Sequence, residues 1–185
     1  MGKTYEHIDE RLGAFLAAQR VFFVATAPVA LDGHVNLSPK GHDSFRVLAP
    51  REVAYLDLCG SGAETIAHVR ENGRITLLFC AFEGPPKIVR LYGRARIVEP
   101  LDADFAELAA RFPSQPGTRS IVHIALERIA DSCGFGMPLF RHEGERTTLI
   151  EHAEKQGPDG MLEFQRARNT ASIDGLPTLR RLSPP

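Results

Sequence analysis

Charge of one sign is not in excess in this sequence. Twenty-two Lys and Arg stand against 23 Asp and Glu, a formal net charge of -1. That balance creates no global field to draw in nucleic acid or an anionic membrane, so any charge-based role is local. Long apolar runs are missing as well. The longest, 21–27 and 75–82, fall far short of the roughly 20 residues that span a bilayer. The first ten residues are polar and acidic where an export signal is basic and then apolar. The expectation is a cytoplasmic protein with neither a membrane nor a nucleic-acid partner. Cysteine is scarce, and Cys59, Cys80 and Cys133 lie far apart, with no Cys-x-x-Cys pair and no His at zinc-site spacing. Reduced, buried thiols packing as small apolar groups are expected, and no metal. The histidines are scattered and form no nucleophile motif with Ser or Cys and an acid, so nothing marks a hydrolase.

What is present is enough for one domain. The 185 residues are 43% hydrophobic, ample for a single core and short for two. Ile8, Leu12, Phe15 and Leu16 fall at helical spacing in 6–18. Segment 21–27 is β-branched and aromatic, and Asp32-Gly33 suits a hairpin turn into a strand over 34–38. Short strands are expected over 45–48 and 53–58, then a helix over 63–71 capped by Asn72-Gly73. An apolar strand over 74–82, a Gly-Pro-Pro turn and a long alternating strand over 87–99 form the strongest hairpin signal. A helix over 101–112 and a strand over 119–126 complete a mostly β pattern with peripheral helices, closing as a barrel or sandwich. Residues 1–130 read as the core. Residues 131–185 read as an extension with helical pieces over 145–156 and 159–169 and a frayed end from Arg180.

Three stretches are candidates for chemistry. The Gly-rich turn 59–62 leads into Ala63, Glu64 and Thr65 at a helix start, where free amides and the hydroxyls of Ser61 and Thr65 make either a phosphate cradle or a capped turn. It lacks the Walker lysine and the dinucleotide glycine fingerprint. Asn36, Ser38 and Lys40 end a strand with two hydrogen-bonding side chains and a cation, which is either solvated or serves an anionic partner. Strand alternation sets Lys87, Val89, Leu91, Gly93 and Ala95 on one face and Ile88, Arg90, Tyr92, Arg94 and Arg96 on the other. The cationic face is either a solvated sheet surface or an anion site.

Taken together, segment 61–93, with 35–41 upstream and 132–138 and 172–177 downstream, resembles the pyridoxamine 5′-phosphate oxidase-related flavin-binding family over nearly the whole chain. The resemblance implies an FMN-binding split β-barrel and a homodimer with the flavin in a groove at the subunit interface. It places Asn36, Ser38 and Lys40 near the ring or ribityl chain, Ser61, Glu64, Thr65 and Arg90 towards the phosphate side, and Cys133 near the flavin or the partner chain. A flavin-dependent oxidoreductase acting on a small-molecule substrate or electron donor follows, with a deazaflavin reductase or a non-catalytic flavin or tetrapyrrole carrier as rivals on the same fold. The chain departs from the vitamin-salvage enzyme. Ala63, Glu64 and Thr65 stand where that enzyme has Ser-Arg-Lys, Val35 stands for an arginine, and Trp is absent. Cations of that enzyme's phosphate-binding residues are thereby missing, which argues against pyridoxamine phosphate as substrate.

Overall fold

The computed structural model describes residues 2–182. Its frame is an antiparallel sheet of eight strands: β1 (Thr4–Tyr5), β2 (Phe22–Thr26), β3 (Asn36–Lys40), β4 (Phe45–Ala49), β5 (Glu52–Leu58), β6 (Arg74–Cys80), β7 (Ile88–Val98) and β8 (Thr118–Ser132). Seven run in the order β3-β2-β6-β7-β8-β5-β4, and β1 adds to β8. β3 and β4 are the two ends of that path, yet the sheet rolls until the ends meet. Phe45 of β4 packs at 4.9 Å, ring centre to ring centre, on Phe79 of β6, and Phe22 of β2 stacks on Phe79 at 5.2 Å. The result is the expected split barrel, closed by side chains where backbone pairing stops.

Alternation decides what the barrel holds. Phe22, Val24 and Thr26 of β2 and Ile75, Leu77 and Phe79 of β6 point inward and are buried. β5 is buried on both sides: Val53 and Tyr55 face the main core, and Ala54 and Leu56 pack under Phe105, Leu108 and Phe112. The helices lie outside. In α1 (Glu10–Ala18), the Asp9 carboxylate caps the Leu12 amide at 2.7 Å, and Leu12 and Leu16 turn inward. In α2 (Glu64–Asn72), Gly73 ends the helix at φ 70, as the Asn-Gly pair anticipates.

Several expectations shift. β2 and β3 do pair antiparallel, but nine residues separate them, and Asp32-Gly33 makes only a local turn inside that loop. The loop is anchored from outside: Glu71 accepts from the Val29 amide and Asp174 from the His34 amide, both at 2.8 Å. The helix expected over 101–112 shrinks to α3 (Phe105–Ala109), because Asp102 accepts from the Glu99 amide and holds that stretch in a turn. The two expected carboxyl-terminal helices do form, as the two halves of α4 (Thr148–Arg168), separated by a non-helical Gly157 (φ 66) before Pro158. Arg180 and Arg181 are not frayed. They sit in a 3₁₀ turn, Arg180–Leu182, and clamp the buried carboxylate of Glu99. The rest of the expected frayed end, 183–185, lies outside the described residues.

Candidate functional site

β3 is an edge strand, so its inward side chains line the rim of the barrel opening. Asn36, Ser38 and Lys40 pair with Thr26, Val24 and Phe22 and share the inward face. The hydrogen bonds make Asn36 a hub. Its Nδ2 donates to Thr65 Oγ1 at 2.9 Å and to Thr26 Oγ1 at 3.1 Å, and its Oδ1 accepts from the Ser38 hydroxyl at 2.8 Å. Behind them, Thr26 Oγ1 and His68 Nδ1 share a hydrogen bond at 3.0 Å. His68 is fully buried and burial lowers its pKa, so the ring is held neutral, with Nε2 unpartnered.

Lys40 belongs to a second, deeper group. Its Nζ donates to Asp57 Oδ1 at 3.3 Å, and the other Asp57 oxygen takes Arg119 Nε at 2.6 Å and the Ser120 hydroxyl at 3.2 Å. Asp57 is completely buried. Burial alone raises its pKa, but the Arg119 guanidinium, and then Lys40, more than offset this and hold it at about 2 against an ordinary 3.8. Arg119 also donates to Asn169 Oδ1 at 2.9 Å, and Asn169 in turn donates to the Gly60 carbonyl at 3.1 Å. The residue ending α4 thus fixes both the arginine and the Gly-rich turn. Cys59 donates to Asn169 as well, and burial raises its thiol pKa, so it stays protonated and is no nucleophile.

The turn itself leads into an open helix end. No side chain caps the start of α2, Ser61 is exposed, and the Glu64 carboxylate folds back over Gly62 so closely that a Cβ there would collide with it. Asn36, Ser38 and Thr65 are therefore bonded to one another, and Lys40 lies on the same strand face; Ser61 and Glu64 stand at the adjacent helix end. Arg90 does not join them. In β7 it points to the outer face, pairs with Leu78 and donates to the Ser132 hydroxyl at 3.1 Å. Arg94 and Arg96, on the same face, are paired with Glu127 and Asp104. Cys133 is exposed rather than buried, because the chain leaves β8 at Ser132, and it lines a cleft of about 420 Å³ with Tyr5, Lys87 and Asp131.

A family model described as pyridoxamine 5′-phosphate oxidase matches residues 8–133. The chain belongs to this family. Among its relatives is the pyridoxamine 5′-phosphate oxidase family protein ustO of Aspergillus flavus, 36% identical over 95% of this chain and 77% of the relative. Among solved structures, HupZ of Group A Streptococcus superposes with a TM-score of 0.51 at 22% identity, covering 66% of this chain and 91% of that one. A candidate pyridoxamine 5′-phosphate oxidase from Lactobacillus delbrueckii gives 0.53 at 19% identity, covering 69% and 98%.

For this pyridoxamine 5′-phosphate oxidase family member, the polar floor beneath the rim is what sequence does not mark. Asp57 sits in an alternating strand where an acid reads as surface, and Arg119 begins what looks like an ordinary strand. Their partner Asn169 is 112 positions from Asp57. Only the rolling of the sheet brings them together. His68 reads as a packing or surface residue one turn after Glu64, and the structure places it wholly inside.

Proposed function

We propose that this chain binds FMN at the β3 rim as a homodimer and acts as a flavin-dependent oxidoreductase on a small-molecule substrate. The observation that carries the reading is the hydrogen-bonded set Asn36, Ser38 and Thr65, with Lys40 anchored on the same strand face beside the uncapped start of α2. These residues fit the group. A flavin presents carbonyl oxygens and ring nitrogens, which the Lys40 ammonium suits as a donor, a ring N–H, which the Ser38 hydroxyl oxygen suits as an acceptor, and a phosphate, which the free amides of α2 and the Ser61 hydroxyl suit. When bound, the flavin supplies hydride or electron transfer. The protein's part is to hold the ring edge with a fixed cation, keep water from the buried floor and stabilise negative charge near Lys40. The Asp57 carboxylate keeps the ammonium pointed at one place.

The position of Arg90 supports the dimer. Arg90, Leu78, Phe23 and Pro39 form one cross-strand row on the outer face, so Arg90 is about 14 Å along the sheet from β3 and on the opposite side from Lys40. Val35 and Leu37 leave 74% and 66% of their surface exposed beside that row, an apolar rim suited to a second copy. A second copy seated there brings its own β3 to Arg90. Pyridoxamine phosphate is not the proposed substrate, since the cations its oxidase uses are absent.

Flavin fluorescence titration tests the reading. Unmodified protein should quench FMN, while Lys40→Ala and Thr65→Ala should each bind it about 10- to 100-fold more weakly. Affinity unchanged in both variants, or no quenching by the unmodified protein, would refute it. Anaerobic reduction of the bound flavin by a nicotinamide nucleotide separates an oxidoreductase from a carrier.

A further inference from the structure

Beside Lys40 the barrel rim opens into a cleft of about 630 Å³ between the β3–β4 turn and the segment 142–149, with Gly60 of the turn before α2 also on its wall. That volume is in the range of small-molecule sites. Three features point to what it takes. Arg20 and Arg146 face it, and neither has a carboxylate within ion-pair distance among the described residues; Glu145, the acid on the wall, lies 3.7 Å from His142. Ser44 also lines it, only 3% exposed, and its hydroxyl has no hydrogen-bond partner. The turn itself is strained, with His42 and Asp43 consecutively at φ 59 and 51. Two non-glycine residues in the left-handed region cost free energy, and such strain concentrates at binding sites. Leu56, Leu58 and Leu149 add an apolar part to the lining.

We infer that this cleft is the substrate site and that it binds a small organic acid, with a carboxylate or phosphate between Arg20 and Arg146 and an apolar body against the leucines. The unpartnered Ser44 hydroxyl is a buried donor beside the cleft that still lacks an acceptor. Lys40 lines both the cleft and the proposed flavin site, so a ligand here sits beside the ring. The substrate role rests on the flavin reading; the anion site does not.

Ligand-observed NMR on the full chain, with and without FMN, tests this using three probes: benzoate, phenyl phosphate and uncharged benzyl alcohol. At least one of the two anions should bind and the alcohol should not, and the comparison between the anions tells carboxylate from phosphate. The double variant Arg20→Gln/Arg146→Gln should weaken anion binding at least about tenfold, through loss of charge-assisted hydrogen bonds, while FMN affinity stays unchanged. Equal binding of benzyl alcohol, or unaltered anion binding by the double variant, would overturn the site. If the double variant instead loses FMN affinity, the two arginines serve the cofactor phosphate and the substrate assignment falls. Anion binding by a chain that takes no FMN would support the anion site while removing the flavin reading.

Discussion

Asp57 is the residue on which the site's electrostatics turn. It is a buried carboxylate facing two cations, and removing one partner of such a group leaves an uncompensated charge in a low-dielectric interior. Replacing Asp57 with Asn should cost about 3–5 kcal/mol, because Arg119, itself almost fully buried, keeps only neutral partners. The pH dependence has a definite sign. Asp57 is held at about 2 in the folded chain against 3.8 ordinarily. Its contribution, on the order of 2 kcal/mol, is present above pH 3.8 and drains away as pH falls towards 2. Urea unfolding at pH 5 and pH 2.5 should show this loss in the unmodified chain and a shallower one in Asp57→Asn. Equal slopes would mean that Asp57 is not ionised against Arg119. At this scale the sequence is legible where a side chain's neighbours lie in its own strand. Asn36, Ser38 and Lys40 alternate on five residues and can be read together. Asp57 and Arg119 cannot, because their partnership spans 62 positions and depends on β5 pairing with β8.

Among the elements, β7 shows how tightly the sheet is specified. Its ladder with β8 slips by one residue between Tyr92 and Gly93, a bulge that strengthens local twist and helps the sheet curl. Gly93 is required there. A Cβ would run into the backbone carbonyl of Ala125, which no rotamer can relieve. Gly93→Ala should therefore destabilise by about 1–3 kcal/mol, the range for overpacking a close-fitted interior, visible as a lowered thermal midpoint. An unchanged midpoint would mean that β8 yields at Ala125. Alternation along β7 is readable, since Val89, Leu91 and Gly93 are buried and Arg94 and Arg96 exposed as the period of two demands. The bulge and the end of β8 are not readable, since 127–132 carries no apolar alternation and is held as strand by β7 and β1. The carboxyl terminus misleads for the same reason. Two arginines shortly before a proline pair read as a loose end, and only the fold reveals Glu99 waiting for them, with Arg70 on its other side.

For the whole molecule, the decisive fact is that the proposed flavin residues lie on two faces of one sheet. Lys40 points inward at the barrel rim and Arg90 outward, three strands away. If both serve one flavin, they come from different subunits, and the dimer has two equivalent composite sites related by symmetry. Mixing defective chains tests this. Lys40→Ala and Arg90→Ala homodimers should each bind FMN weakly, since every site lacks one residue. In a heterodimer, both defects fall in one site and the other regains Lys40 from one subunit and Arg90 from its partner. Random reassociation after co-refolding makes half the dimers mixed, so about one quarter of all sites should recover full affinity. A titration of the mixture should then show a tight phase that neither variant shows alone. If Lys40 and Arg90 acted from the same chain, every site would keep one defect and no tight phase would emerge. If only Lys40 mattered, Arg90→Ala alone would already bind FMN tightly. The mixture therefore separates a composite interfacial site from one contained in a single barrel.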